Sequence, residues 1–110
     1  MVKSSSKIKY IINNFVSELK KRGVKINRVI LYGSYANGKA KSYSDIDIAV
    51  ISSSFDRKNI LERQELLGEV IYPLNEPIEA IGYGYKEFKN PPYLSFLSEI
   101  ISKGKIIYRE

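Results

Sequence analysis

The sequence predicts an α/β (α+β) fold: a small mixed β-sheet with helices packed mainly on one face. Three observations carry that prediction. Ile8, Ile11, Ile12, Phe15, Val16 and Leu19 recur at helical spacing. Asp45-Ile46-Asp47-Ile48-Ala49-Val50 alternates at period two, as a half-buried strand does. A second helical pattern then leads to a further apolar run, Pro77–Tyr83, which makes a strand–helix–strand unit.

In chain order, Ser4, Ser5 and Ser6 offer an N-cap for the first helix. Lys20, Lys21 and Arg22 suit the negative end of its dipole, and Gly23 suits the residue after it. Ile26–Tyr32 is expected as the first strand, and a short helix is expected from Ser34 to about Asn37. The second strand is expected over Asp45–Ile51. Its start and the end of the first must meet at one site, so the two should run antiparallel. Asp56 is expected to cap a helix from Arg57 to about Tyr72, with Ile60, Leu61, Leu67, Val70 and Ile71 buried and Pro73 as its stop. The crossover makes the third strand parallel to the second. Gly82 to Phe88 reads as a flexible aromatic segment. Asn90 and the two prolines after it are expected to open a last helix that buries Tyr93, Leu94, Leu97, Ile100 and Ile101. Gly104 ends it, and Lys105–Tyr108 is expected as an edge strand.

The 110 residues suit a single domain over 1–110. No apolar run approaches the length of a membrane span, and the N-terminus lacks the apolar core of a signal peptide, so a cytoplasmic protein is expected. With neither Cys nor His, disulfides, the usual zinc sites and Ser-His or Cys-His mechanisms are excluded. A general base must then be a carboxylate, Tyr, Lys or metal-bound water. The net charge of +6 favours an acidic partner, although no run of five basic residues occurs, so nucleic acid is not expected.

The chemistry concentrates in LYGSYANGKAKSYSDIDIAV, residues 31–50. Residues two apart on a strand share a face. Asp45 and Asp47 therefore project together, about 6–7 Å apart along the strand. Two such carboxylates repel, and an oxygen-only pair suits a hard cation, Mg²⁺ or Mn²⁺, shared with substrate phosphates. Gly33 permits a tight turn, and Ser34 opens a helix whose free amides suit phosphate. Together they form a candidate phosphoryl- or nucleotidyl-transfer site.

Gly33-Ser34, the ten residues Tyr35 to Ser44, then Asp45-Ile46-Asp47 resemble the signature of the nucleotidyltransferase superfamily. Its members include the polymerase β palm, the aminoglycoside nucleotidyltransferases and, closest in size, the minimal nucleotidyltransferases. Members often carry arginines just after Gly-Ser. This chain has Tyr35 and Asn37 there, with Lys39 and Lys41 following as candidate nucleotide contacts beside Gly33 and Ser34. The resemblance implies a polymerase β palm-like fold and a third carboxylate on the next strand. Glu79 fits that place, level with Asp45 and Asp47, as metal ligand or base; Glu76 is the alternative.

The resemblance further implies transfer of a nucleoside monophosphate, AMP from ATP by default, to a hydroxyl acceptor with one or two Mg²⁺ ions. It also implies a partner: an all-helical HEPN protein of a toxin–antitoxin pair, with this chain as the antitoxin in a hetero-oligomer. The other readings are a catalytically silent binding module of the same fold and an aminoglycoside-type transferase.

Overall fold

A computed structural model describes residues 2–110. It contains a four-stranded mixed sheet of order β3-β2-β1-β4, built from β1 (Arg28–Tyr32), β2 (Ile46–Ser52), β3 (Ile78–Gly84) and β4 (Lys105–Arg109). β1 pairs antiparallel with both β2 and β4, and β2 pairs parallel with β3, as the connection lengths require.

Helix α1 (Ser5–Lys21) is capped by Ser4, whose hydroxyl accepts the Lys7 amide at 3.1 Å. All six residues of its expected stripe are buried, and Gly23 takes φ 80° beyond its end. Helix α3 (Ile60–Leu74) lies with α1 over one face of the sheet, enclosing Phe15, Ile46, Ile48, Val50 and Leu67. On the opposite face the shorter α5 (Phe96–Lys103) covers Ile30, Ala49 and Ile51 with Leu97 and Ile100. Strand β2 is therefore closed in on both faces and both edges.

Several boundaries differ from expectation, those of β2, β3 and β4 by one residue only. β1 starts at Arg28; Asn27 just before it still bonds through its backbone to Ile51 (2.8 Å) and Glu110 (3.3 Å), while its side chain donates to Glu110 (2.7 Å) and accepts the Ser53 amide (2.8 Å). α3 starts at Ile60 with Asn59 and Glu62 capping each other, while Asp56 sits in a 3-10 turn (Ser53–Arg57) and accepts the Lys86 amide. The first turn of α3 consequently overhangs the sheet, leaving Ile60 and Leu61 74% and 66% exposed. The buried side chain of that turn is Arg63, which pairs with Glu87 at 2.7 Å. Pro73 does not stop α3, which runs one residue further and ends on Asn75 at φ 52°.

The segment after β3 is ordered as a short helix, α4 (Tyr85–Lys89), where Glu87 accepts the Gly84 amide and Tyr85 stacks on Phe88. Asn90 ends α4 instead of opening α5: its amide donates to the Lys86 carbonyl. Ser95 caps α5. Tyr93 and Leu94 therefore lie in a loop, 90% and 82% exposed, with Leu94 at φ 56°. Among the described residues no helix is long and apolar enough to cross a membrane.

Candidate active site

At the end of β1 the chain turns through Gly33, with φ 73° and ψ −153°, a conformation essentially confined to glycine. The one-turn helix α2 (Ser34–Asn37) follows, with the Ala36 and Asn37 amides bonding back to the Gly33 carbonyl at 3.0 and 3.1 Å. The amides ahead of that bonded turn, Ser34 and Tyr35, are the ones a helix start leaves for a ligand. A second constraint also demands glycine at 33. A Cβ there would fall on the Asp47 carboxylate, so the turn and the acidic side chain are in direct apposition.

The loop returns through Lys41 and Ser44, which exchange two hydrogen bonds (2.8 and 3.1 Å), and Asp45 precedes β2 by one residue. The Ile46 amide then donates to the Pro77 carbonyl at 2.7 Å, fixing the start of β2 against the start of β3. In this register Asp47 has Tyr32 as its partner on β1 and Glu79 as its partner on β3. Tyr32, Asp47 and Glu79 thus stand abreast across three strands.

The electrostatics follow from that crowding. A hydrogen bond with the Asp45 carboxyl, then the charges of Asp45 and Asp47, raise the Glu79 pKa above its ordinary value. Burial, then the Asp45 charge, raises Asp47. Burial, then Asp47, Tyr83 and Glu79, pushes the Tyr32 phenol up to about 12. Glu79 resists ionisation mainly because of its acidic neighbours, Asp47 and Tyr32 first because of burial and then because of such neighbours; the neighbour part is the condition that a divalent cation relieves. The donor set is all oxygen, as a hard cation prefers. Among the described residues no three acidic side chains are gathered into a ready cage, so the fit rests on strand register and mutual repulsion.

The sequence-derived candidates divide here. Gly33, Asp45, Asp47 and Glu79 come together, with Ser34 adjoining at the start of α2. Lys39 and Lys41 are exposed in the loop beyond α2 and line neither cavity that flanks the turn. On the carboxylate face a cavity of about 430 Å³ opens beside Gly33, lined by Tyr32, Asn37, Phe96, Glu99 and Lys103 among others. Phe96 meets Tyr32 edge-on, with ring centroids 5.5 Å apart. Sequence reasoning did not single out Tyr32, Phe96 or Lys103, which line this cavity. Only the position of Tyr32, directly before Gly33, carried a local signal.

Comparisons with known proteins point the same way. The model of the family described as "Nucleotidyltransferase domain" matches residues 11–108. A Methanocaldococcus jannaschii protein, MJ0604, named as an inferred protein adenylyltransferase, is 30% identical over 99 residues, 88% of this chain and 94% of its own length. A second from that organism, MJ1305, similarly named, is 34% identical over 62 residues; the match spans 56% of this chain and only 42% of MJ1305. Among solved structures, an inferred nucleotidyltransferase from Sulfolobus solfataricus superposes with a TM-score of 0.65 at 17% identity, covering 94% of this chain and 78% of that one. A chain from a toxin–antitoxin structure with AMP-PNP gives 0.62 at 22% identity, covering 89% and 73%. One from a tri-AMPylated Shewanella oneidensis HEPN toxin in complex with its MNT antitoxin gives 0.57 at 20%, covering 93% and 72%. At these identities the structural likeness is one of fold. With the family model spanning nearly the whole chain and an almost full-length relative beside it, this chain belongs to the nucleotidyltransferase domain family.

Proposed function

We propose that this chain is a protein adenylyltransferase that moves AMP from ATP to a hydroxyl of a helical HEPN-type partner, as the antitoxin of a toxin–antitoxin pair. The observation that carries the reading is Asp47 paired with Glu79 in the β2–β3 register and set directly against the Gly33 turn, so that acidic side chains adjoin the start of α2. The names of the M. jannaschii relatives support protein as the acceptor class. The toxin–antitoxin structures support the helical partner and ATP as donor.

Asp45 and Asp47 would hold Mg²⁺, with Glu79 as third ligand or as base. When bound, the ion supplies charge neutralisation and polarises the phosphate that is attacked. The chain's own residues do the rest. Gly33, lacking a side chain, lets the phosphates approach the backbone, and the Ser34 amide and hydroxyl donate to them. Glu79, its proton affinity raised by its neighbours, takes the proton of the acceptor hydroxyl. The bond from that oxygen to the α-phosphorus forms, the α–β bridging bond breaks, and pyrophosphate leaves.

The test is incubation of the chain with labelled ATP, Mg²⁺ and the helical product of the adjacent gene, followed by mass measurement of that product. The expected result is one or more added AMP groups, lost with Asp47→Ala. Transfer that survives Asp47→Ala overturns the proposal.

A further inference from the structure

We propose that Lys103, in the last turn of α5, binds the terminal phosphates of the nucleotide and makes the site selective for triphosphates, with Glu99 holding its ammonium group until the nucleotide arrives. The assignment rests on the nucleotidyl-transfer reading above and extends it to an element that shares no motif with the Gly33–Ser34 turn.

Geometry is the first ground. The cavity of about 430 Å³ is lined by both Gly33 and Lys103, together with Tyr32. Tyr32 is the cross-strand partner of Asp47, so this cavity lies on the carboxylate face. Gly33, which lines the cavity, is in direct apposition to Asp47, so a polyphosphate bound across Gly33 from Asp47 would reach toward Lys103.

Charge balance is the second. Asp45, Asp47 and Glu79 already crowd negative charge, and a triphosphate adds about four more charges. Helix α2 contains no charged residue, and Lys39 and Lys41 line neither adjoining cavity. Lys3, Lys9 and Lys105 line the other cavity, with Ile8 and Leu31 on the α1 side of the sheet, the face opposite Asp47. Lys103 is the basic side chain among the described residues lining the cavity on the carboxylate face.

The third ground is the state of Lys103 itself. Its ammonium lies 3.2 Å from the Glu99 carboxylate, and the two side chains are 76% and 58% exposed. A pair so exposed is held weakly, so a polyphosphate can displace Glu99 as the acceptor at little cost. Glu99 lines the same cavity and, left unpaired, repels phosphate. The bland account is a surface i,i+4 pair that favours the end of α5 through the helix dipole. That account predicts no discrimination between nucleotides by phosphate number.

The experiment titrates ATP and AMP, each with Mg²⁺, calorimetrically into the full chain and into Lys103→Ala, Lys103→Arg and Glu99→Gln. Thermal melts verify that the variants fold, as their exposure predicts. Expected is a roughly tenfold loss of ATP affinity in Lys103→Ala with AMP unchanged within about twofold, retention in Lys103→Arg, and a severalfold gain for ATP in Glu99→Gln. Equal losses for ATP and AMP, or no loss for ATP, overturn the assignment while leaving the transfer reading intact. Failure of the unaltered chain to bind either nucleotide overturns the transfer reading, and this assignment with it.

Discussion

Asp47 and Glu79 are direct partners in the parallel β2–β3 ladder, and each resists ionisation partly because of the same neighbour, Asp45. The sign of the consequence is fixed. A carboxyl whose pKa is higher folded than unfolded favours folding while protonated, and that contribution is lost as pH rises from the unfolded value through the folded one. At neutral pH without divalent cations, both groups therefore destabilise the fold. Asp47→Asn is expected to raise Tm by about 2–4 °C in chelator, a modest figure because the group is partly solvated. Adding Mg²⁺ is expected to raise Tm of the unaltered chain and not of the variant. A calorimetric melt series with and without Mg²⁺ measures both.

In the proposed transfer Glu79, if it is the base, acts deprotonated, so the rate rises with pH along an acid limb set by its carboxyl. Glu79→Gln is expected to lower the rate about 10²-fold or more and to remove that limb. A pH–rate series on the two proteins decides it.

Gly33 and Gly38 separate two costs of replacing glycine. Both have positive φ, 73° and 78°, but a Cβ at 38 meets nothing within 4 Å, whereas one at 33 meets Asp47. Gly38→Ala is expected to lose about 1–2 kcal/mol from backbone strain alone. Gly33→Ala is expected to lose more, because its φ and ψ fall in the region reserved for glycine, and to abolish nucleotide binding by displacing Asp47. Denaturant melts paired with ATP titration test the contrast; equal effects at the two positions count against it.

Tyr32 tests whether the phenol beside the carboxylates takes part in proton transfer. With its pKa pushed up to about 12 the hydroxyl stays protonated throughout the working range. Tyr32→Phe is expected to keep the rate within about threefold and to leave the shape of the pH profile unchanged. Tyr32→Ala is expected to weaken nucleotide binding, because it removes the ring that stands against Phe96 in the cavity wall. Steady-state kinetics on the pair distinguishes ring from hydroxyl.

What the sequence made readable was what local periodicity and fixed spacing encode. The Ile8–Leu19 stripe, the burial of Ile46, Ile48 and Val50 and the parallel placing of Glu79 all follow from such signals and appear in the structure. The half-buried alternation expected of β2 does not, because α5 buries Ala49 and Ile51 on the second face. The misplaced helix starts have one cause. Asp56 and Asn59 are both competent caps, as are Asn90 and Ser95, and the choice depends on partners far along the chain: Asp56 is used by the Lys86 amide. The burial of Arg63 likewise depends on Glu87, 24 residues away. Lys103 carries no local signal at all, since only the packing of α5 against β1 brings it beside Gly33.

The enclosure of β2 has a kinetic meaning. A strand covered on both faces and hydrogen-bonded along both edges exchanges its amide protons only when the whole fold opens. Asp47 is thus mounted on the slowest-exchanging strand of the molecule, while Glu79 lies on the edge strand β3 and Lys103 and the Tyr93–Leu94 loop sit at the periphery. Thermal inactivation of the chain should coincide with its cooperative melting instead of preceding it.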